Sequence, residues 1–494
     1  MNVTGLLDHQ PPAVEAHLKA LRLHGASFDA SDMGVGKTAH ACAVIRELGV
    51  PTLCVVPAVS VSDWQWMAKH LGIDPDVQSL DLIRLGNTPF GQWDNPPPKV
   101  MPTFLQCTQC QCEIDPAKPF YCPHHHGGIH CVKVLKREHK YGRFNWHPGI
   151  KLLVVDEVHR CGGLDSLQAD MLIAAKRQKI PTLMLSATGC DSPLGMRALG
   201  FVLGLHELIG PRGFYPWAMS RGCKKLPFRG FHYVASKEEG KKIMSQLHAD
   251  LFPSRGARVR IADLGDKFPK CTIRAQLYNI TDPARMDALY REMAELIAII
   301  HEDREKGGDT ALENLLRAKQ ELEMLKLPVF EQRTKDLIAA GRSVAVFLNY
   351  RASVKELCRR LGTSCMIIGA QPEKERRMNI EAFGADSERV IVASAAAGGV
   401  AISLHDRHGN FPRSGEVNLG NSARETRQIF GRLPRSGGKS PVQYDIILCA
   451  GTIEEPMRDA LEGKLDRYDL LNDGDICPLG NLPLTDTGSD ANVI

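Results

Sequence analysis

The chain has 494 residues, of which 43% are hydrophobic and 24% are charged, and its formal net charge is +4. This composition excludes collagen-like, coiled-coil and extensively disordered classes, and no apolar run reaches the roughly 18 residues that span a bilayer. The length predicts about three domains, and the small charge does not by itself indicate nucleic-acid binding. The N-terminal segment lacks the basic and apolar pattern of a secretory signal, so we expect a cytoplasmic protein without a membrane partner.

Helices and strands are predicted to alternate through the first 190 residues. A helix over 11–24 precedes a short apolar run at 26–30 and a glycine-rich turn, and a second helix follows at about 37–48. Strands of the buried type are predicted at residues 51–56, 151–155 and 181–185. This order of elements indicates a parallel sheet covered by helices.

Two segments interrupt the alternation. Residues 88–148 are rich in proline, cysteine, histidine and lysine, and we interpret them as an insertion. Residues 276–340 are rich in helix-forming residues and are predicted to be helical. The alternation then resumes with predicted strands at 343–348, 366–368, 390–393 and 444–448 and a helix near 352–361. The sequence therefore predicts a second parallel α/β unit.

A phosphate-binding loop is predicted between the first apolar run and the second helix, where residues 30–38 read ASDMGVGKT. Gly34 and Gly36 let backbone N–H groups turn toward phosphates at a helix N-terminus. Lys37 would neutralise charge on the β- and γ-phosphates, and Thr38 would bind Mg²⁺. The nucleotide-binding residues predicted here are Met33, Gly34, Val35, Gly36, Lys37 and Thr38.

An acidic pair follows the predicted strand at 151–155, at the edge where open parallel sheets bind ligands. Asp156 is predicted to hold Mg²⁺, and Glu157 to orient and deprotonate the attacking water. His159 would link the nucleotide to nucleic acid or to the second domain. The hydroxyls of the string SAT at 186–188, which follows the next strand, would hydrogen-bond to the acidic box DEVH at 156–159 and sense the nucleotide state.

The order of these motifs resembles that of superfamily 2 helicases and translocases. The matching strings are GVGKT at 34–38, PAVSVSDW at 57–64, DEVH at 156–159, SAT at 186–188 and QIFGRLPR at 428–435. Finer details, including residues 30–38 and the string from Ala393 to Leu404, resemble Swi/Snf-type translocases of double-stranded DNA. The helical stretch around 317–319 resembles the HARP-like annealing branch, and the compact size would suit a phage protein.

The resemblance implies an α/β fold with two tandem RecA-like parallel-sheet domains, a helical insertion and a zinc-ribbon-like insertion. The predicted bounds are 1–225 for the first domain with the zinc-binding insertion at 100–140, 226–335 for a helical linker, 336–470 for the second domain, and 471–494 for a flexible tail.

The resemblance also implies roles for residues away from the phosphate loop. Gln10 would read adenine, Gln428 and His159 would contact the nucleotide, and Arg432 and Arg435 would act as arginine fingers from the second domain. The predicted contacts to the nucleic-acid backbone are Ser60, Ser62, Asn349, Arg351, Gly398 and Gly399.

A tetrahedral Zn²⁺ site is predicted within the first insertion. Cys107 and Cys110 are separated by two residues, as are Cys122 and His125, and eleven residues lie between these pairs. This is the spacing of a zinc ribbon with a structural role. The alternatives for the fourth ligand are Cys131, Cys112, His124 and His130.

These predictions combine into an ATP-dependent motor that uses Mg²⁺ and acts on nucleic acid, with duplex DNA as the expected substrate. Two alternatives stay open, namely an RNA helicase of the same superfamily and an ATP-gated remodelling subunit that does not unwind. Protein partners in replication, repair or recombination are not identified by the sequence.

Overall fold

The computed structural model describes residues 5–86, 88–95, 103–107, 113–114, 132–136, 142–164, 166–187, 190, 192–226, 230–302, 308–369, 371–395, 402–418, 423–452 and 454. Among the described helices, none combines the length and the apolar character that crossing a membrane requires.

The first domain begins with alternating helices and strands. In chain order they are α1 (Pro11–His24), β1 (Ala26–Asp29), α2 (Lys37–Leu48), β2 (Thr52–Val56), α3 (Val61–His70), β3 (Asp76–Ser79) and α4 (Leu80–Arg84). Proline occupies the first turn of α1, and the left-handed Gly25 ends this helix by donating its N–H to the Leu21 carbonyl. β1 and β2 are buried along their whole length. β2 (TLCVV) is accordingly apolar, whereas β1 (ASFD) also buries Ser27 and Asp29.

Short strands follow in the predicted insertion. They are β4 (Gly91–Trp93), β5 (Thr103–Cys107), β6 (Glu113–Ile114), β7 (Val132–Lys136) and β8 (Phe144–Trp146). β4 pairs with β8, and β5 lies between β6 and β7 in an antiparallel sheet. The backbone of Cys107 is described but its side chain is not. The other zinc-ligand candidates, Cys110, Cys112, Cys122, His124, His125, His130 and Cys131, lie outside the described residues.

The remainder of the first domain completes its sheet. The elements are β9 (Leu152–Asp156), α5 (Leu167–Arg177), β10 (Thr182–Leu185), α6 (Arg197–Val202), α7 (Phe214–Met219), β11 (Cys223–Leu226), β12 (Gly230–Tyr233), α8 (Lys237–Leu251) and β13 (Gly256–Ala257). The parallel strand order is β13-β1-β10-β9-β2-β3, whereas β11 and β12 form a separate hairpin. The carboxyl ends of β1, β10, β9 and β2 are therefore neighbours, which brings together the loops that follow them.

The second domain has the same architecture. It contains β14 (Cys271–Tyr278), α9 (Pro283–Glu302), α10 (Gly308–Ala339), β15 (Ser343–Leu348), α11 (Arg351–Leu361), β16 (Met366–Ile367), α12 (Glu373–Gly384), β17 (Val390–Ser394), β18 (Arg413–Asn418), α13 (Ala423–Phe430) and β19 (Val442–Cys449). Its parallel strand order is β14-β19-β18-β15-β17-β16. The predicted fold class, two tandem RecA-like domains with parallel sheets, is confirmed.

The two sheets extend beyond the domain bounds expected from the sequence. β13 lies within the predicted linker at 226–335, yet it pairs with β1 and so belongs to the first sheet. β14 lies in the same predicted linker and pairs along its whole length with β19 of the second sheet. The C-terminal half of α10 packs on the second sheet, where Leu327 and Phe330 are fully buried. Backbone pairing therefore divides the linker between the two domains.

Candidate nucleotide and nucleic-acid site

The predicted phosphate loop lies between β1 and α2, with two glycines in left-handed conformations. Gly34 has a φ of +83° and Gly36 has a φ of +105°. A Cβ atom on Gly36 would lie 2.1 Å from Gln10 Nε2, so only glycine fits this close approach. The sequence at this turn is thus required by both backbone conformation and packing.

The Lys37 ammonium lies within the loop itself. It donates to the carbonyl oxygens of Ser31 at 2.9 Å and Asp32 at 3.1 Å. Burial lowers the pKa of Lys37, and the negative charges of Asp29 and Glu157 counteract that effect. The ammonium is therefore held at the loop by hydrogen bonds to two backbone carbonyl oxygens and by the charge of nearby carboxylates.

Gln10, which immediately precedes α1, hydrogen-bonds to the loop. Its Oε1 accepts from Leu7 N at 2.9 Å, and its Nε2 donates to the Val35 carbonyl at 3.0 Å. The side chain is buried, with 3% exposure. Both ends of the amide are engaged by the protein in this structure, and the adenine-reading role of Gln10 stays a prediction.

A segment far along the chain also holds the loop. The Asp32 carboxylate accepts from the Arg258 guanidinium and from Ile261 N, each at 2.8 Å. Val259 N donates to Ser31 Oγ at 3.0 Å. Arg258 lies in the segment predicted to be a helical linker, and its role was not predicted because no local pattern distinguishes an arginine that supports a loop 226 positions earlier.

A buried cluster of His17, Asp29 and His40 lies beneath the loop, and all three side chains are fully buried. Asp29 Oδ2 is 2.8 Å from His40 Nδ1 and 3.2 Å from His17 Nε2, while Asp29 Oδ1 accepts from Ser31 N at 2.9 Å. Although burial acts to raise it, the charges and hydrogen bonds of the two histidines hold the pKa of Asp29 well below its usual range. The only sequence signal for this cluster was an aspartate ending a buried strand.

The acidic pair ends β9 in the same crevice. Asp156 Oδ1 accepts from Glu157 N and Asp156 Oδ2 accepts from Trp64 Nε1, each at 2.9 Å. Burial and then the charge of Glu157 raise the pKa of Asp156. A divalent cation would offset this concentrated negative charge, and carboxylate and hydroxyl oxygens are ligands that Mg²⁺ prefers. Asp156 and Thr38 therefore fit the predicted metal.

Glu157 has an unusual backbone conformation, with φ and ψ of +51° and +47°. Such left-handed conformations at a non-glycine residue are concentrated at functional sites. Burial acts to raise the pKa of Glu157, but the hydrogen bond and charge of His159, with Lys37 and Arg432, lower it overall. Glu157 is therefore ionised at neutral pH and accepts hydrogen bonds.

His159 connects the acidic pair to the second domain. Its Nδ1 lies 3.2 Å from Glu157 Oε2 and 3.0 Å from Ser186 Oγ, and its Nε2 lies 3.4 Å from Gln428 Nε2. The His159 imidazole thus contacts one residue that follows β9, one that follows β10 and one that lies in α13. Thr188, the last residue of the SAT string, lies outside the described residues.

The segment that carries the two candidate arginine fingers lies against the phosphate loop. Ser436 N donates to the Gly34 carbonyl at 3.2 Å, and a Cβ on Gly34 would lie 2.9 Å from Arg435 Cδ. Arg432 is 3% exposed, and burial followed by the like charge of Arg435 lowers its pKa to about 10. Both guanidinium groups donate to the Ile402 carbonyl, so they are pre-positioned in the crevice with their charges retained.

The predicted nucleic-acid contacts differ in accessibility. Ser60 is buried with 3% exposure, whereas Ser62 lines the cleft between the domains and Arg351 is exposed. The backbone N–H of Asn349 donates to the buried Glu323 carboxylate at 2.6 Å, which fixes this loop on α10. Gly398 and Gly399 lie outside the described residues.

A cleft of about 390 Å³ separates the two domains beside α3. Its lining includes Ser62 and Asp63 of the first domain and Arg376, Arg377 and Arg407 of the second. None of these arginines was predicted to contact nucleic acid, although the run EKERR at 373–377 is a visible basic signal. Guanidinium groups and hydroxyls are suited to phosphate groups of a nucleic-acid backbone.

The fold and the site together have the arrangement that the motif order predicts for an ATP-dependent helicase or translocase, and the motifs resemble those of superfamily 2. Two RecA-like domains meet at one crevice, and each contributes motif residues to it.

Comparisons with known proteins give a relative of this class. A protein of Acanthamoeba polyphaga mimivirus named "putative ATP-dependent RNA helicase" is 29% identical over 460 residues, which cover 91% of this chain and 80% of that protein. The Sulfolobus solfataricus SWI2/SNF2 ATPase core in complex with dsDNA matches 96% of this chain and 94% of that chain, with 15% identity and a TM-score of 0.34. No family model matches the chain.

Proposed function

We propose that this protein is a cytoplasmic ATP-driven motor that moves along duplex DNA. The observation that carries the proposal is the crevice in which Glu157 and Gln428, one from each domain, both contact His159. A site divided between two domains makes hydrolysis depend on their closure. The choice of duplex DNA rests on the Swi/Snf-like motifs.

The residues of the crevice have distinct chemical tasks in this proposal. Lys37 exchanges its carbonyl contacts for the β- and γ-phosphates, and Glu157 orients a water for attack and accepts its proton. Mg²⁺, held by Asp156 and Thr38, would neutralise phosphate charge. Arg432 and Arg435 stabilise the charge that develops on the transferred group, an effect worth about 10³–10⁵ in rate in other phosphoryl-transfer enzymes.

Movement follows if each domain grips the nucleic acid separately. The cleft beside α3 carries Ser62 from one domain and Arg376 and Arg377 from the other. Closing the ATP crevice moves Ser62 relative to Arg376 and Arg377 along the nucleic-acid backbone. Because the grip is made to phosphates, binding should be independent of sequence and should weaken steeply with salt.

The central test measures ATPase activity of the full chain with duplex DNA, single-stranded DNA, duplex RNA and single-stranded RNA. Duplex DNA should stimulate wild-type turnover most strongly. Lys37→Ala should abolish turnover in every case while leaving the thermal melting profile unchanged. Persistent ATPase activity in Lys37→Ala would contradict the proposed site, and the absence of stimulation by any nucleic acid would contradict the motor.

The cleft is tested by the double variant Arg376→Ala, Arg377→Ala. We expect a weaker apparent affinity for nucleic acid and a shallower salt dependence, with unstimulated ATPase activity retained. Lys335→Ala is the matched control, since this lysine lies on α10 in an exposed pair with Glu331. An equal loss of nucleic-acid affinity in the double variant and in the control would reject the cleft as the nucleic-acid site.

An RNA helicase is the second candidate, and the name of the viral relative favours it. Stronger stimulation by RNA than by duplex DNA in the same assay would establish this alternative. Strand-displacement and triplex-displacement assays then separate a helicase or translocase from a remodelling subunit, which would show neither activity.

We also propose that the insertion binds a structural Zn²⁺ through Cys107, Cys110, Cys122 and His125. The backbone supports a compact ribbon, because β5 pairs antiparallel with β7 and Cys107 lies opposite Val132. Cys131 stays the alternative fourth ligand that the sequence offers. Metal analysis of the purified chain should give one Zn²⁺ that is lost in Cys107→Ser and retained in Cys271→Ser, and equal zinc content in both variants would exclude the site.

A further inference from the structure

Trp64 connects the cleft to the metal-binding carboxylate. It lies in α3 with 1% exposure, and its indole Nε1 donates to Asp156 Oδ2 at 2.9 Å. The preceding residues of the same helical turn, Ser62 and Asp63, line the cleft between the domains. The same helical turn therefore lines the proposed nucleic-acid surface through Ser62 and Asp63 and contacts the proposed Mg²⁺ ligand through the Trp64 indole.

The contact restricts how the carboxylate is oriented. An indole has one N–H donor, and here it is used entirely on Asp156. The second oxygen of Asp156 accepts from Glu157 N, so each carboxylate oxygen has one fixed donor. A carboxylate offers about four lone-pair sites, and two donors leave capacity for a metal ion. Hydrogen-bond donors behind a ligand set its orientation and affinity.

We propose that Trp64 is a positioning residue that orients Asp156 for Mg²⁺ and couples this carboxylate to the cleft-lining turn of α3. Occupation of the cleft by nucleic acid would shift α3, and the indole would transmit this shift to the metal site. The proposal rests on the proposed ATP site, and it assigns Trp64 no contact with nucleotide or nucleic acid.

The test compares Trp64→Phe with the control Trp146→Phe. Phenylalanine retains an aromatic ring in each place, removes one buried indole donor and leaves the same loss of ring volume at both sites, so the control accounts for the cavity. Trp146 suits this comparison because it is also buried in the first domain, with 3% exposure, and its Nε1 donates at 2.9 Å to the Met171 carbonyl rather than to a carboxylate.

The direct readout is Mn²⁺ binding to the ADP-bound full chain, measured by electron paramagnetic resonance. Trp64→Phe should weaken Mn²⁺ binding about tenfold, the lower end for loss of a group that orients a metal ligand. ADP binding in the presence of EDTA should be unchanged, and so should Mn²⁺ binding by Trp146→Phe. In ATPase assays, the Mg²⁺ concentration for half-maximal activity should rise in parallel, and stimulation by nucleic acid should fall.

Mn²⁺ affinity within twofold of wild type in folded Trp64→Phe would overturn the proposal, as would an equal loss in Trp146→Phe. If Trp64→Phe does not fold, benzothienylalanine incorporated at position 64 provides a near-isosteric ring without the N–H, and the same two outcomes apply. The metal-binding readout does not require motor activity. Failure of the proposed function would therefore appear as absent nucleic-acid stimulation in wild type, with the effect of Trp64→Phe on Mn²⁺ still measurable.

Discussion

Replacing Asp29 with asparagine tests whether the buried cluster beneath the phosphate loop stabilises the first domain. The substitution preserves shape and removes one negative charge. Asparagine can still accept from Ser31 N through its carbonyl oxygen, but its amide group meets His40 where the carboxylate accepted a hydrogen bond at 2.8 Å. His17, 3.2 Å from the same oxygen, loses its charged partner as well.

The expected loss of unfolding free energy in Asp29→Asn follows from the burial of all three side chains. Removing one partner of a buried charged pair typically costs about 3–5 kcal/mol. The retained contact to Ser31 places Asp29→Asn near the lower limit, at about 3 kcal/mol. For a domain of roughly 250 residues, a loss of 1 kcal/mol lowers the melting temperature by about 2–4 °C, so we expect a fall of about 6–12 °C.

Differential scanning calorimetry of the full chain measures this change, with Asp263→Asn as the control. Asp263 forms an exposed pair with Arg260, and loss of such a pair costs about 1 kcal/mol at most. A melting temperature of Asp29→Asn within 2 °C of wild type would refute the argument.

The pH dependence provides a second check on the same variant. The pKa of Asp29 is depressed in the folded state, so its contribution to stability is present above the unfolded-state pKa of about 3.9 and is lost as pH falls through the native value. This carboxylate's contribution to the difference in free energy of unfolding between variant and wild type should therefore be constant from pH 8 to about pH 5. It should shrink only below about pH 4.

Two further predictions concern the second domain. Arg435→Ala should lower kcat by about 10³, with and without nucleic acid, while nucleotide binding persists. The exposed Arg351→Ala should leave unstimulated kcat unchanged, and comparable unstimulated kcat values in the two variants would exclude Arg435 as an arginine finger. Burial raises the pKa of Glu416 to about 8, against opposing contacts from Thr334 and Arg333, so the stability it contributes is lost as pH rises toward 8. Glu416→Gln should therefore flatten the decline in melting temperature between pH 5 and pH 8, and an unchanged slope would contradict this assignment.

The sequence by itself determined the fold class and the main motifs of the crevice. Strands such as β2, β9 and β15 are covered on both faces by helices, so they consist of continuous apolar runs that are visible without a structure. The phosphate loop and the acidic pair are short, contiguous strings whose chemistry depends on neighbouring residues. Their order along the chain was enough to predict two RecA-like domains.

Strand β18 shows where that reasoning failed. It is buried along its whole length, yet it carries Arg413, Glu416 and Asn418, so no apolar run marked it. Each of these side chains hydrogen-bonds to a distant partner, which offsets part of the free-energy cost of burying its polar groups. The partners are Asp386 for Arg413, Thr334 for Glu416, and Lys326 and Glu323 for Asn418.

Only the tertiary structure decided which residues complete the crevice. Trp64 reaches Asp156 across 92 positions of sequence, and Gln428 reaches His159 across 269 positions. A tryptophan or an arginine does not by itself indicate such a role, which depends on the position of one polar atom within about 3 Å of another. That position is set by the packing of whole sheets and helices, so no local sequence pattern records it.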